Sequence, residues 1–102
     1  MNWINILYHS NQKYIVQEKA IIDAIDYLFS EKPYVKLVNS PRLIFDKEHL
    51  NLEISLDVKI NTSQSQGAFE IIKDLSRSVE KAIKNLINKN PKNVQICLLD
   101  FN

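Results

Sequence analysis

Few side chains in this chain are suited to acid–base, nucleophilic or metal chemistry. His9 and His49 are its two histidines, and Cys97 is its one cysteine. Imidazole titrates near neutrality without help, so a general base would be sought there first. His9 lies in the polar stretch HSNQ, which reads as a loop, and His49 opens an alternating run. Each reads as a surface residue rather than a base or ligand. No His or Lys stands near Cys97 in sequence to lower its pKa, so it reads as a packed or half-exposed thiol. Glu53 and Asp57 are four apart in an extended run, which puts them on one face at roughly 13 Å, too far for a paired acid and base. A single glycine is too few for a loop that cradles phosphate, and one cysteine leaves no zinc pattern. The sequence therefore gives no catalytic residue, metal ligand, cofactor or small-molecule substrate, and it reads as a non-enzyme.

The elements around these groups are clearer than the groups themselves. In His49–Asn61, HLNLEISLDVKIN, every even position is apolar and every odd position polar. Side chains alternate between faces in an extended chain, so this is a long strand with one buried and one wet face, the wet one carrying Glu53 and Asp57. Val16, Ala20, Ile21, Ala24, Ile25, Leu28 and Phe29 recur at spacings of three and four, which predicts a helix over 17–30, stopped by Pro33. Tyr34–Val38 and Arg42–Asp46 read as two extended pieces broken by Asn39, Ser40 and Pro41, forming one irregular arm of a hairpin with the long strand. Asn61–Gly67 is a loop in which Ser63 and Gln66 have capping-box spacing, with Ser65 an alternative cap. Ile72, Leu75, Val79, Ala82, Ile83 and Leu86 make the stripe of a second helix over 68–88. Lys92–Phe101 is the last strand, with Val94, Ile96 and Leu98 on one face and Gln95, Cys97, Leu99 and Phe101 on the other. The expected fold is a small two-layer α+β sandwich, (β)-α-β-β-α-β, with two helices on one face of a three- or four-stranded sheet. The 102 residues form one domain, with residues 1–13 an N-terminal arm or edge strand.

Formal net charge is +1, which gives no general pull towards nucleic acid or anionic lipid. A lone cysteine fits a reducing compartment, and no signal-peptide pattern or apolar run of roughly 20 residues is present, so a cytoplasmic protein is expected. Two surfaces suggest partners. Leu99 and Phe101 face away from the helices if these cover Val94, Ile96 and Leu98, and Trp3 and Ile4 in the N-terminal arm are candidates to cover them, within one subunit or between two. These four are the candidate protein interface. Lys81, Lys84, Lys89 and Lys92 gather at the end of the second helix and are candidate phosphate contacts. The element order shares much with KH-type domains, and RNA or a ribosomal particle is the alternative partner. The KH GXXG loop is absent, however, and no aromatic row lies on the wet face.

The stretches YIVQEKAIIDAIDYLF (14–29), NLEISLDVKIN (51–61), IIKDLSRSVEKAIKNL (71–86) and VQICL (94–98) resemble the first helix with its lead-in strand, the alternating strand, the long helix and the final strand of the alkaline shock protein family. This family of Gram-positive and related bacteria includes the Gls-type general stress proteins. The family often has Gly-Val after the first helix, where this chain has Tyr34-Val35, and an Ile-Pro pair before the long helix, where it has NTSQSQGAF. The resemblance implies a non-enzymatic cytoplasmic protein linked to envelope stress, peripheral to the membrane through an integral membrane partner, and able to form assemblies with itself. It supplies no catalytic residues.

Overall fold

The computed structural model of the chain describes residues 2–9, 11–61 and 67–101. β1 (Trp3–His9) and β2 (Gln12–Gln17) form an antiparallel hairpin of their own. α1 (Glu18–Ser30), β3 (Val35–Leu37), β4 (Arg42–Phe45), β5 (Leu52–Ile60), α2 (Ala68–Ile87) and β6 (Asn93–Phe101) follow. The fold is a small α+β one, with β3, β4 and β6 each bonded to β5 and a separate two-stranded sheet beside them.

β5 is the axis because its alternation is unbroken. Leu52, Ile54, Leu56, Val58 and Ile60 are all buried. Burying each such side chain contributes about 1.5–3 kcal/mol, and their shared face is what the helices cover. α1 brings Ile21, Ile25 and Phe29 to it, and α2 brings Ile71, Leu75, Val79, Ile83 and Ile87. The α2 set steps by four throughout. At 3.6 residues per turn such a stripe winds about 160° around the helix over its length. That winding lets one helix touch α1, β6 and, through the Tyr14 hydroxyl on the Leu86 carbonyl (3.2 Å), the hairpin.

β3 and β4 are one interrupted arm, as the broken pattern predicts. β6 runs along one edge of β5, and both short strands lie on the other. Leu37 opposes Val58 and Arg42 opposes Ser55, so the four residues 38–41 face only two on β5. An even surplus leaves alternation intact: Val35, Leu37, Leu43 and Phe45 all fall on the core side.

Both helices end for local reasons. After α1, the Glu31 and Lys32 N–H groups bond back to the Leu28 and Phe29 carbonyls before Pro33. After α2, Asn88 adopts the left-handed conformation (φ 60°) and its N–H bonds the Lys84 carbonyl at 2.8 Å. At the start of α1, Gln17 gives no side-chain cap, and the Asn2 carbonyl accepts the Glu18 N–H instead (3.0 Å). The cap of α2 is Gly67. Ser63, Ser65 and Gln66 lie outside the described residues.

Three expectations need correction. The long strand begins at Leu52 rather than His49, because His49 takes a positive φ of 58° and belongs to a turn. The N-terminal segment is not an edge strand of the main sheet, because it pairs with Gln12–Gln17, a second strand hidden in the run-up to α1. Phe101 does not share a face with Gln95 and Cys97. A one-residue bulge at Leu99 makes Asp100 oppose Lys59 and Phe101 oppose Ile60, so Phe101 turns to the core side while staying exposed.

Candidate interaction surfaces

The turn between β4 and β5 is the socket for the N-terminal arm. Asp46 holds it closed, with one carboxylate oxygen accepting the Leu50 and Asn51 N–H groups (2.7 and 2.9 Å) and the other accepting the Asn51 side-chain amide (2.9 Å). The bonds from Asn51, then that from Leu50, hold the Asp46 pKa down to about 2. The turn thereby presents His49, whose ring stacks on Trp3 at 3.8 Å between centroids and 4° between planes. His49 Nδ1 lies 3.0 Å from the Trp3 carbonyl, which can only accept, so that nitrogen carries the proton. The Asn5 N–H donates to the His49 carbonyl at 2.7 Å, and the Asn5 amide to the Glu48 carbonyl at 3.3 Å. Both His49 and Trp3 thus anchor the arm to its own subunit, and beside them Ile4, Ile6 and Val16 enter the core.

The face of the sheet opposite the helices is polar, but it is not uniformly wet. Asp57 is only 9% exposed. Arg42, two positions along on the neighbouring arm, grips it with both guanidinium nitrogens (2.7 and 3.0 Å) and also donates to Ser55 Oγ (3.0 Å). Asn39, within the four-residue detour, donates to the same carboxylate at 2.8 Å, and the Val38 N–H bonds the Asp57 carbonyl. The Arg42 hydrogen bonds first, then that of Asn39, hold the Asp57 pKa down to about 2. So low a pKa, with both oxygens occupied, makes a poor base. The group acts as a clasp that pins the detour to β5. Cys97 opposes Asp57 from β6 and is exposed.

Apart from the exposed Tyr27, Val38, Ile44 and Phe69, the exposed apolar side chains gather in two places. The first is the outer half of the hairpin: Leu7 (65% exposed), Tyr8 (52%), Ile15 (49%) and Tyr14 (42%). Tyr8 and Tyr14 lie on the core-side face with ring centroids 6.0 Å apart, and Leu7 and Ile15 lie on the reverse. This ribbon belongs to a molecule 51 Å long and only 22 × 19 Å across. The second is the far end of β6, with Leu98, Leu99 and Phe101. An open groove of about 520 Å³ also lies between Asp26, Phe29 and Ser30 of α1 and residues 35–40.

The candidate interface residues are not brought together. Trp3 docks beside the turn that precedes Leu52, whereas Phe101 opposes Ile60 at the other end of β5, about 25 Å away for a nine-residue strand. Trp3 and Ile4 therefore do not cover Leu99 and Phe101 within one subunit. The lysine group is also divided. Lys81 and Lys84 are exposed on α2, with Lys84 in the last turn complementing the helix dipole. Lys89 donates to the Leu50 carbonyl, and Lys92 is exposed before β6. The hairpin patch escaped the sequence reading because the apolar residues of Tyr14–Val16 fall on both faces, which hides their strand period. Arg42 and Asn39 escaped it because a contact across a detour leaves no spacing signal. Among the described residues no cluster of three or more His, Cys, Asp or Glu could hold a metal ion, and no helix is long and apolar enough to cross a membrane. Compared with known proteins, the chain matches no family model, no curated protein and no solved structure.

Proposed function

We propose that this chain is a non-enzymatic cytoplasmic interaction module, a scaffold or stress-related protein of the kind its resemblance to the alkaline shock family implies. It is linked to the cell envelope through protein partners, either copies of itself or an integral membrane protein. The observation that carries the reading is the hairpin. Two-stranded ribbons are marginal in water, and this one exposes Leu7 and Ile15 on one face and Tyr8 and Tyr14 on the other. Such a ribbon gains most by inserting between surfaces of another protein, which would bury both faces.

The test is the size of the native complex from lysate, with and without RNase, for the natural chain and for Leu7→Ser/Ile15→Ser. The expected result is a complex that survives RNase and is lost in the variant, although the variant folds normally. A complex that collapses to monomer on RNase treatment would replace this reading with the KH-like, ribosome-associated one, and its loss would then depend on salt. That alternative has one candidate contact fewer than the sequence suggests, because Lys89 is already engaged by the Leu50 carbonyl.

A further inference from the structure

We propose that β6 pairs edge to edge and antiparallel with β6 of a second copy, so that two sheets join across a two-fold axis at Ile96. The inference deepens the interaction-module reading by naming a partner for a surface remote from the hairpin.

The two edges of the sheet are not alike. On the β3–β4 side the edge is broken into strands of three and four residues by the detour, which is how natural sheets blunt an edge. On the other side β6 runs nine residues, bonded to β5 on one flank and, among the described residues, to no strand on the other. Val94–Leu99, VQICLL, carries no charge, proline or glycine, so this edge has no guard until the bulge at Leu99. A segment of that composition with its backbone groups unpaired is a template for another strand. The Lys92 N–H bonds the Leu52 carbonyl just before the strand, and the ladder proper begins with Asn93 opposite Glu53. The odd residues of β5 turn their backbone groups to the β3–β4 arm, as the Val38 N–H on the Asp57 carbonyl and the Asn61 N–H on the Tyr34 carbonyl require. Their partners Asn93, Gln95 and Cys97 therefore bond β5, and the backbone groups of Val94, Ile96 and Leu98 aim outward.

Charge selects the occupant. Lys92 stands just before the uncharged run and Asp100 just after it, and among the described residues neither is in a salt bridge. A parallel copy would set Lys92 beside Lys92 and Asp100 beside Asp100. An antiparallel copy centred on Ile96 brings the Lys92 end of one strand to the Asp100 end of the other, and does so twice. The same register faces Val94 with Leu98 and Ile96 with itself, extending the half-buried core-side row across the seam. It bonds Ile96 to Ile96 and Val94 to Leu98 through their outward backbone groups and faces Gln95 with Cys97, so backbone bonds and side-chain matching agree on one alignment.

The experiment uses the purified chain in sedimentation velocity over the micromolar range, where an edge-to-edge contact of this size should lie. The expected result is a reversible shift from 11.9 kDa to twice that mass, weakened by salt. Ile96→Pro removes an outward N–H that the parent sheet does not use, so it should leave β6 paired with β5 and the protein monomeric. Gln95→Cys places a thiol opposite Cys97 of the second copy, at about 4.5 Å between Cα atoms in a non-bonded antiparallel pair, within disulfide reach. Oxidation should then yield a covalent dimer, and adding Cys97→Ser should abolish it. A chain that is monomeric at every concentration, or a dimer that persists in folded Ile96→Pro, would overturn the proposal. Neither result would touch the hairpin reading, which is tested on other surfaces. If Ile96→Pro does not fold, the cross-linking pair decides alone, and no covalent dimer from Gln95→Cys refutes the register.

Discussion

Ile4→Ala compared with Leu7→Ala tests whether the hairpin is part of the folded body or an appendage. The two residues are three apart on β1, yet Ile4 is 0% exposed in the core and Leu7 is 65% exposed. Ile4→Ala deletes three buried carbons, about 2.4 kcal/mol of transfer free energy at roughly 0.8 per group. The cavity adds to this, for a total of about 3–4 kcal/mol. Leu7→Ala should stay within about 0.5 kcal/mol. Urea unfolding is the assay, with Trp3 as reporter: it is the only tryptophan and is stacked on His49 in the docking site. With a slope of about 1.5 kcal/mol/M for a chain this size, Ile4→Ala should lower the midpoint by about 2 M with its slope unchanged. Circular dichroism, which follows the two helices, should give the same transition. Equal costs for the two variants would refute the burial argument. A Trp3 transition preceding the helical one would show that the hairpin unfolds independently.

Acid should weaken the fold in a defined window. Asp46 and Asp57 are both held at about 2, below the value near 3.9 of an unfolded chain. A depressed folded-state pKa means that the stabilisation is complete above about pH 4 and is lost as pH falls towards 2. Thermal midpoints should drop across that interval, and the drop should shrink in Asp57→Asn; a flat profile would contradict the clasp. At Asn88, whose φ of 60° strains most side chains, Asn88→Ala should cost about 1 kcal/mol and Asn88→Gly should be neutral or stabilising, read from the same urea midpoints. Equal stability of Ala and Gly there would deny the left-handed cap.

Where the sequence could be read and where it could not follows from parity. Residues 38–41 carry an even surplus, so Val35, Leu37, Leu43 and Phe45 keep one parity through the break, and the arm was legible as a single strand. The surplus at Leu99 is odd, so Phe101 changes sides, and alternation carried past that point gives the wrong face. The two helices were legible because their apolar spacing exceeds one turn many times over. The hairpin was not, because its register is set by pairing with residues that have no period of their own. Of the candidate surfaces, Leu99 and Phe101 were visible as apolar residues lacking a cover. The Arg42–Asp57 clasp and the Trp3–His49 stack arise only when chain segments 15 and 46 positions apart meet.

β5 also governs the order in which the sheet can assemble. Phe45 and Leu52 pair across seven positions, whereas Ile54 and Val94 pair across forty. The longer closure costs about 1.5 kcal/mol more chain entropy, which predicts that the β4–β5 hairpin precedes the docking of β6. Substitutions in β4 should then slow folding, and those in β6 should mainly speed unfolding. Until β6 arrives, the buried row of β5 has one edge open, and once β6 has docked it is β6 that has one edge open. The unpaired edge moves outward through the sheet during folding and is not eliminated. A newly made chain would therefore be prone to association before its folding is complete as well as after.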